Sequence, residues 1–202
     1  MYKKFAVSIQ VEKLLMHNGQ LSDPMNPYAK AMKAISSKRQ KTDADLEQLA
    51  NIEFEAGLYL DRNRNVIIPG RVFESVLVEG ARRSKEGKLA LAGSIVENDA
   101  IITYDGGPLS VDDLIKSPDH RLTVSAKIGT SRVMRTRPMF HNVKADFEIS
   151  LAGEAANGDQ LRRWIVDAMN MVGLCDWRPR YGRGRLVSFV EVAAPIELAR
   201  AA

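Results

Sequence analysis

The chain has 202 residues, of which 45% are hydrophobic and 27% charged, with a formal net charge of +4. That size and balance are those of an ordinary globular domain and exclude a disordered chain. A single cysteine, Cys175, excludes an internal disulfide framework, and no apolar run approaches the ~20 residues of a membrane helix, so a cytoplasmic protein without membrane contact is expected.

In chain order, Phe5, Val7, Ile9 and Val11 alternate with other residues, which predicts a strand over about 4–15 in place of a signal peptide. A loop rich in Asn, Gly, Asp and Pro follows, holding His17 and Asp23. Pro27 is placed to open a basic helix over about 27–37, with Lys30 and Lys33 on one face. Thr42 is a candidate N-cap of a second helix with Leu46, Leu49, Ile52 and Phe54 on its apolar side, ended by Gly57. These two helices read as an insertion over about 24–57.

Residues 57–61 and 65–70 predict a short hairpin, and Pro69-Gly70 opens a helix from Arg71 to about Lys85, with Gly87 as its end. Residues 89–104 read as short strands. Ser110 caps a brief helix, and Leu122, Val124, Ala126 and Ile128 alternate as another strand. Over 129–151 the basic first half ends at Arg137-Pro138, and Pro138 argues against a central strand there; Val143, Ala145, Phe147 and Ile149 return to strand alternation. A helix over about 159–172 carries Leu161, Trp164, Ile165, Ala168, Met169 and Val172 on one face, and a final strand runs over about 186–192. Without the insertion the order is strand, helix, strands, helix, strand: a single α+β domain over 1–202 with a ferredoxin-like, RRM-like βαββαβ antiparallel sheet.

The most informative stretch is 173–185, GLCDWRPRYGRGR. It joins the last helix to the last strand and carries Arg178, Arg180, Arg183 and Arg185 beside Trp177 and Tyr181. Arginine pairs bidentately with phosphate, and both it and the aromatics stack on bases. Glycines at 182 and 184 are expected to let the backbone approach a ligand. The plainer reading is a solvated turn with Trp177 in the core. Its second half, 178–185, contains no acid, and two further acid-free stretches accompany it: 30–41, with Lys33, Lys38, Arg39 and Lys41, and 131–144, with Arg132, Arg135 and Arg137 beside Phe140. Together the three hold 13 of the 29 Lys and Arg, leaving 16 against all 25 acids, so basic islands sit on an acidic body. Such a distribution is the footprint of a polyanion binder if the islands meet in space.

Motifs for other chemistry are missing. There is no Walker or dinucleotide fingerprint and no nucleophile elbow, and His17, His120 and His141 with one cysteine make no zinc spacing. No cofactor or metal is expected, and Cys175 reads as packed and inert.

Two segments together resemble the RAMP superfamily, the proteins that form the backbone of CRISPR effector complexes. One is NVIIPGRVFESVLVEGARR (65–83), similar to that family's strand–Pro-Gly–helix signature; the other is RYGRGRLVSF (180–189), similar to its glycine-rich element before the last strand. Where the family carries a small hydroxyl residue and then Lys-Gly, this chain has Arg71, Glu74 and Ser75. The MHN, DP, NP and RTRP series also resembles phage proteins. The resemblance implies a modified RNA-recognition fold that grips the sugar-phosphate backbone and assembles side by side along it. Arg71 joins the candidate contacts on that ground. It further implies partners among CRISPR-type effector subunits, or a phage protein that mimics or blocks one. Some members cut RNA with an aspartate after the first strand, which makes Asp23 the candidate for metal-dependent endoribonuclease chemistry; the alternative is an Asx-turn before Pro24. The expectation is therefore a sequence-tolerant binder of single-stranded RNA, or of DNA, that self-associates along the strand.

Overall fold

The computed structural model describes residues 2–153 and 156–192. Its sheet is built around β1 (Tyr2–Leu15), whose alternation puts Phe5, Val7, Ile9 and Val11 into the core. β1 lies between β6 (Ser131–Ala152) and β7 (Gly184–Val192), antiparallel to both. β4 (Ala100–Thr103) pairs with the other edge of β6, and β2 (Ile67–Ile68) pairs with β4, giving the order β2–β4–β6–β1–β7. β3 (Ser94–Val96) and β5 (Arg121–Ile128) pair with opposite ends of the long β6. The fold is thus α+β, mixing helices with an antiparallel sheet.

Helices α3 (Gly70–Arg82) and α6 (Gly158–Asp167) belong to the layer that covers the core face of the sheet. Phe73 of α3 stacks on Phe147 of β6 with centroids 4.0 Å apart. Gly80 lets α3 and α6 touch: a Cβ there would stand 2.5 Å from the Trp164 carbonyl oxygen. Glu86, just after α3, accepts from Trp164 Nε1, Arg163 and Ser84 at 2.7 Å each and from Gln160 at 3.0 Å. Those four donors hold its carboxyl down to about 2. The opposite face shows Ala6, Ser8, Gln10 and Glu12 of β1 beside Asn142, Lys144, Asp146 and Glu148 of β6, a polar set without an aromatic ring.

Two further helices precede β2. α1 (Pro27–Ser36) is capped by Asn26 with Pro27 at its first position. α2 (Asp43–Gly57) opens with a full capping box, in which Thr42 and Asp45 satisfy each other's backbone N–H. Its buried side is Asp45, Glu53, Phe54, Ala56 and Gly57; Leu46, expected on the apolar face, is exposed.

The structure corrects three sequence expectations. Residues 87–93 form a short helix, α4 (Gly87–Gly93), where strands were expected. Leu and Ala are strong helix formers and Ala90 is fully buried, so packing and propensity agree; Gly87 opens this helix instead of ending α3. The third concerns Pro138, which stands inside a continuous 22-residue β6, opposite Arg121 of β5. Its carbonyl accepts from Met16 N at 2.9 Å, so its nitrogen faces the end of β1 and not β5. The missing N–H therefore ends the ladder with β1 and leaves the one with β5 intact. One strand serves both the sheet, through residues 139–152, and a β5–β6 arm, through residues 131–138.

Candidate nucleic-acid interface

The loop over 173–183 is fastened to the end of β1. Gly173 has φ 83° after a π-turn over Ala168–Val172, so the chain leaves the helix in a conformation that suits glycine. Leu174 N then donates to Gly182 O at 2.9 Å, Gly182 N to Lys13 O at 2.8 Å and Asp176 N to Leu15 O at 2.9 Å. Leu174 is buried beneath the closed loop. A Cβ on Gly182 would run into the Leu174 backbone, and one on Gly184 into the Gln10 carbonyl. This corrects the expected role of these two glycines. They let the chain approach its own backbone, Gly182 at Leu174 within the loop and Gly184 at Gln10 of β1.

Closing the loop this way sends the rest of it outward. Trp177 is half exposed, so it is not a core residue, and its ring lies 5.8 Å from that of Tyr181 at a 38° tilt. Arg180 and Arg183 are exposed and form no ion pair among the described residues. Arg178 reaches Glu79 of α3 at 3.4 Å, and Arg185 donates to Gln10 at 2.8 Å. Burial pushes the Cys175 thiol up to about 12, which keeps it protonated and unreactive.

The second basic stretch meets this loop at its root. Arg137 donates from Nε to Asp176 Oδ2 at 3.3 Å, joining arm to loop. Arg135 pairs with Glu53 at 2.6 Å, and the other oxygen of that carboxylate accepts from the buried Thr136 N at 2.8 Å. α2 thereby clamps the base of the arm, helped by Arg121, which donates to Asn51 and lies over the Phe54 ring. Further out, Arg132 is exposed and stands directly opposite Lys127 across the hairpin. Like charges in that register repel, and residues 121–144 contain no acid to relieve them. Phe140 does not join this surface: it is fully buried against Tyr104 and His120, which corrects its expected place beside the arginines of the second basic stretch.

His17 sits where β1, arm and loop converge. Burial, then the nearby Arg137, lowers its imidazole below the ordinary value, while Asp176 and Glu53 pull the other way. Its Nδ1 is buried without a partner among the described residues.

The third stretch is carried by α1 and the α1–α2 connection. Lys33, Arg39 and Lys41 are exposed there, and Lys38 pairs with Asp45 at 2.6 Å. Its link to the other two runs through α2. Arg71 stands at the start of α3 with its guanidinium 5.8 Å from the centre of the Tyr59 ring, while Asp99 accepts from Gly70 N at 2.8 Å. These two residues, with Asn18 and Ile67, line an open depression of about 360 Å³. The exposed Asp23 accepts from Met25 N at 2.9 Å, which is the Asx-turn geometry. Among the described residues no three His, Cys, Asp or Glu side chains converge as a metal site, and no helix is long and apolar enough to cross a membrane.

Sequence reasoning missed Glu53, Asp176 and Glu79, the carboxylates that neutralise half-buried arginines. All three lie 39 or more positions along the chain from their partners, so no local pattern announced them.

No family model matches the chain, and no curated protein matches it. Among solved structures it is similar to a chain of the type III-B Cmr-beta complex bound to cognate target RNA, with a TM-score of 0.55 and 13% identity. The match takes in 95% of this chain and 61% of that one, so this chain spans about three fifths of its neighbour's length. At that identity the likeness is one of fold.

Proposed function

We propose that the protein binds single-stranded RNA, with little dependence on sequence, along the edge formed by the 173–185 loop and the root of the β5–β6 arm. The observation that carries this reading is the separation of roles among the arginines. Arg135, Arg137 and Arg178 pair with carboxylates of the body, while Arg180 and Arg183 on the loop of the tilted Trp177–Tyr181 rings, and Arg132 further out on the arm, stay exposed and form no ion pair among the described residues. Cations held out by a rigid loop attract phosphates, and exposed rings accept any base by stacking. Over Ser8–Glu12 of β1 and the facing residues of β6 the open face is polar and carries no ring, which favours this edge over a stacking platform across those strands. Lys33, Lys38, Arg39, Lys41 and Arg71 would lengthen the track.

The strand order β4–β6–β1–β7, with α3 and α6 as crossovers, supports a ferredoxin-like βαββαβ plan in a single domain, with α1 and α2 as its insertion. The likeness to a chain from an RNA-bound CRISPR effector supports RNA over DNA and makes effector subunits or further copies of this chain natural neighbours on the strand.

The test is fluorescence anisotropy with labelled RNA and DNA of equal length over a salt series. Arg180→Ala with Arg183→Ala should weaken binding to every RNA sequence and make the log affinity against log salt slope shallower by about 1.4, at ~0.7 per lost phosphate contact. An unchanged slope in that double variant would remove the loop from the interface.

A further inference from the structure

The groove where β7 begins sets Arg183 beside several side chains that the strand-binding reading leaves unused. It measures about 460 Å³ and is lined by Gln10 and Glu12 of β1, Asn142 of β6, Asn170 of the π-turn, and Arg183 and Arg185. Gln10 and Arg185 are cross-strand partners and hydrogen-bond to each other at 2.8 Å, and Asn142 donates to Asp105 at 2.6 Å. Glu12, Asn170 and Arg183 make no side-chain hydrogen bond or ion pair among the described residues, although a carboxylate and a guanidinium line one groove. A carboxylate is a poor neighbour for phosphate. It suits a ligand that offers hydrogen-bond donors on one edge and acceptors on another.

We infer that this groove is a guanine subsite, in which Glu12 accepts from the N1–H and N2 amino group of the base while Arg185 donates to its O6 and N7. Guanine alone among the four bases presents two adjacent donors to match a carboxylate and two adjacent acceptors to match a guanidinium fork. Adenine and cytosine each give a single exocyclic amino group, and uracil a single ring N–H. The volume accommodates one flipped-out base with its sugar, in the range of small-molecule sites. Asn170 owes its place to the π-turn, a device that recurs at functional positions. The inference extends the strand-binding reading by adding one preferred base to an otherwise tolerant track, and it can be separated from that reading.

The test compares uridine octamers carrying at their centre uridine, guanosine or inosine, which lacks the N2 amino group, and in parallel free GMP, AMP and UMP by titration calorimetry. The guanosine octamer should bind about tenfold more tightly than the uridine one, with most of the gain lost on inosine. Glu12→Gln should strengthen binding of the uridine octamer, since it removes a negative charge, while erasing the guanosine advantage. A merely structural Glu12 would instead weaken all three octamers together. Equal binding of guanosine and uridine octamers, or a preference that survives Glu12→Gln, overturns the guanine subsite and leaves strand binding standing. If no octamer binds, the strand reading fails, and the free nucleotides decide: GMP held in preference to AMP and UMP supports the subsite as a free-nucleotide site, and no preference overturns it.

Discussion

The two basic projections of this molecule are built on opposite principles. The 173–185 loop is tied to itself and to β1 by backbone hydrogen bonds, with Gly173, Gly182 and Gly184 at the places where a Cβ would strike backbone. The β5–β6 arm is held firmly only at its root, by Glu53 and Asp176, and beyond Thr136 none of the residues from 122 to 135 whose side chains are described is buried. A two-stranded ribbon without a core has little stability of its own. The loop therefore presents its cations in a fixed arrangement, and the arm presents its cations on an adaptable one. The difference shows how one polyanion surface can combine preorganised contacts, which cost little ordering entropy on binding, with contacts that settle on the partner.

The sharpest way to break the contrast is Gly182→Val. A side chain at φ 80° driven into the Leu174 backbone should open the loop, cost about 3 kcal/mol in denaturant unfolding and abolish RNA binding together. Glu53→Ala acts on the arm instead. It leaves the buried Thr136 N–H without its acceptor and Arg135 without its partner, so a loss of about 2 kcal/mol is expected, read as a lowered denaturant midpoint. RNA affinity should fall less than in Gly182→Val, because the loop keeps its shape. Smaller again is Arg132→Ala, which should reduce the salt slope by about 0.7 without changing stability, as the residue packs on nothing.

The smallest effect concerns the junction. His17 has a folded-state pKa below its ordinary 6.5, so the folded form prefers the neutral ring. Its contribution to stability is complete above pH 6.5 and is lost as pH falls through the lowered folded value. Denaturant midpoints between pH 8 and 5 should decline in the wild type and decline less in His17→Gln; parallel curves would place the acid sensitivity elsewhere.

Much of the fold was legible because its strands and helices keep their periods. Phe5 to Val11, Val143 to Ile149 and Leu161 to Met169 all bury the residues that alternation or helical spacing selects. Local chemistry was equally plain at Thr42 and Ser110, each of which caps the helix it precedes. What failed depended on distant parts of the chain. Pro138 fits a strand only because β1 stops beside it, and Phe140 is buried only because Tyr104 and His120 fold over it. The candidate interface was legible as composition and not as electrostatics: the arginines were visible, but Glu53, Glu79 and Asp176, which decide which of them remain available, become their neighbours only after folding.

β1 stands at the centre of the sheet, yet its neighbours β6 and β7 lie 131 or more positions along the sequence. A ribosome delivers this strand long before β6 and β7, and Lys4 cannot meet Val192 until β7 has emerged. Until then Phe5, Val7, Ile9 and Val11 have no sheet to enter. Pairings so remote in sequence close large loops before any contact rewards them, which makes folding slow and leaves an apolar strand unprotected during synthesis. During that interval, a chaperone that holds extended apolar segments would find its target in the first dozen residues.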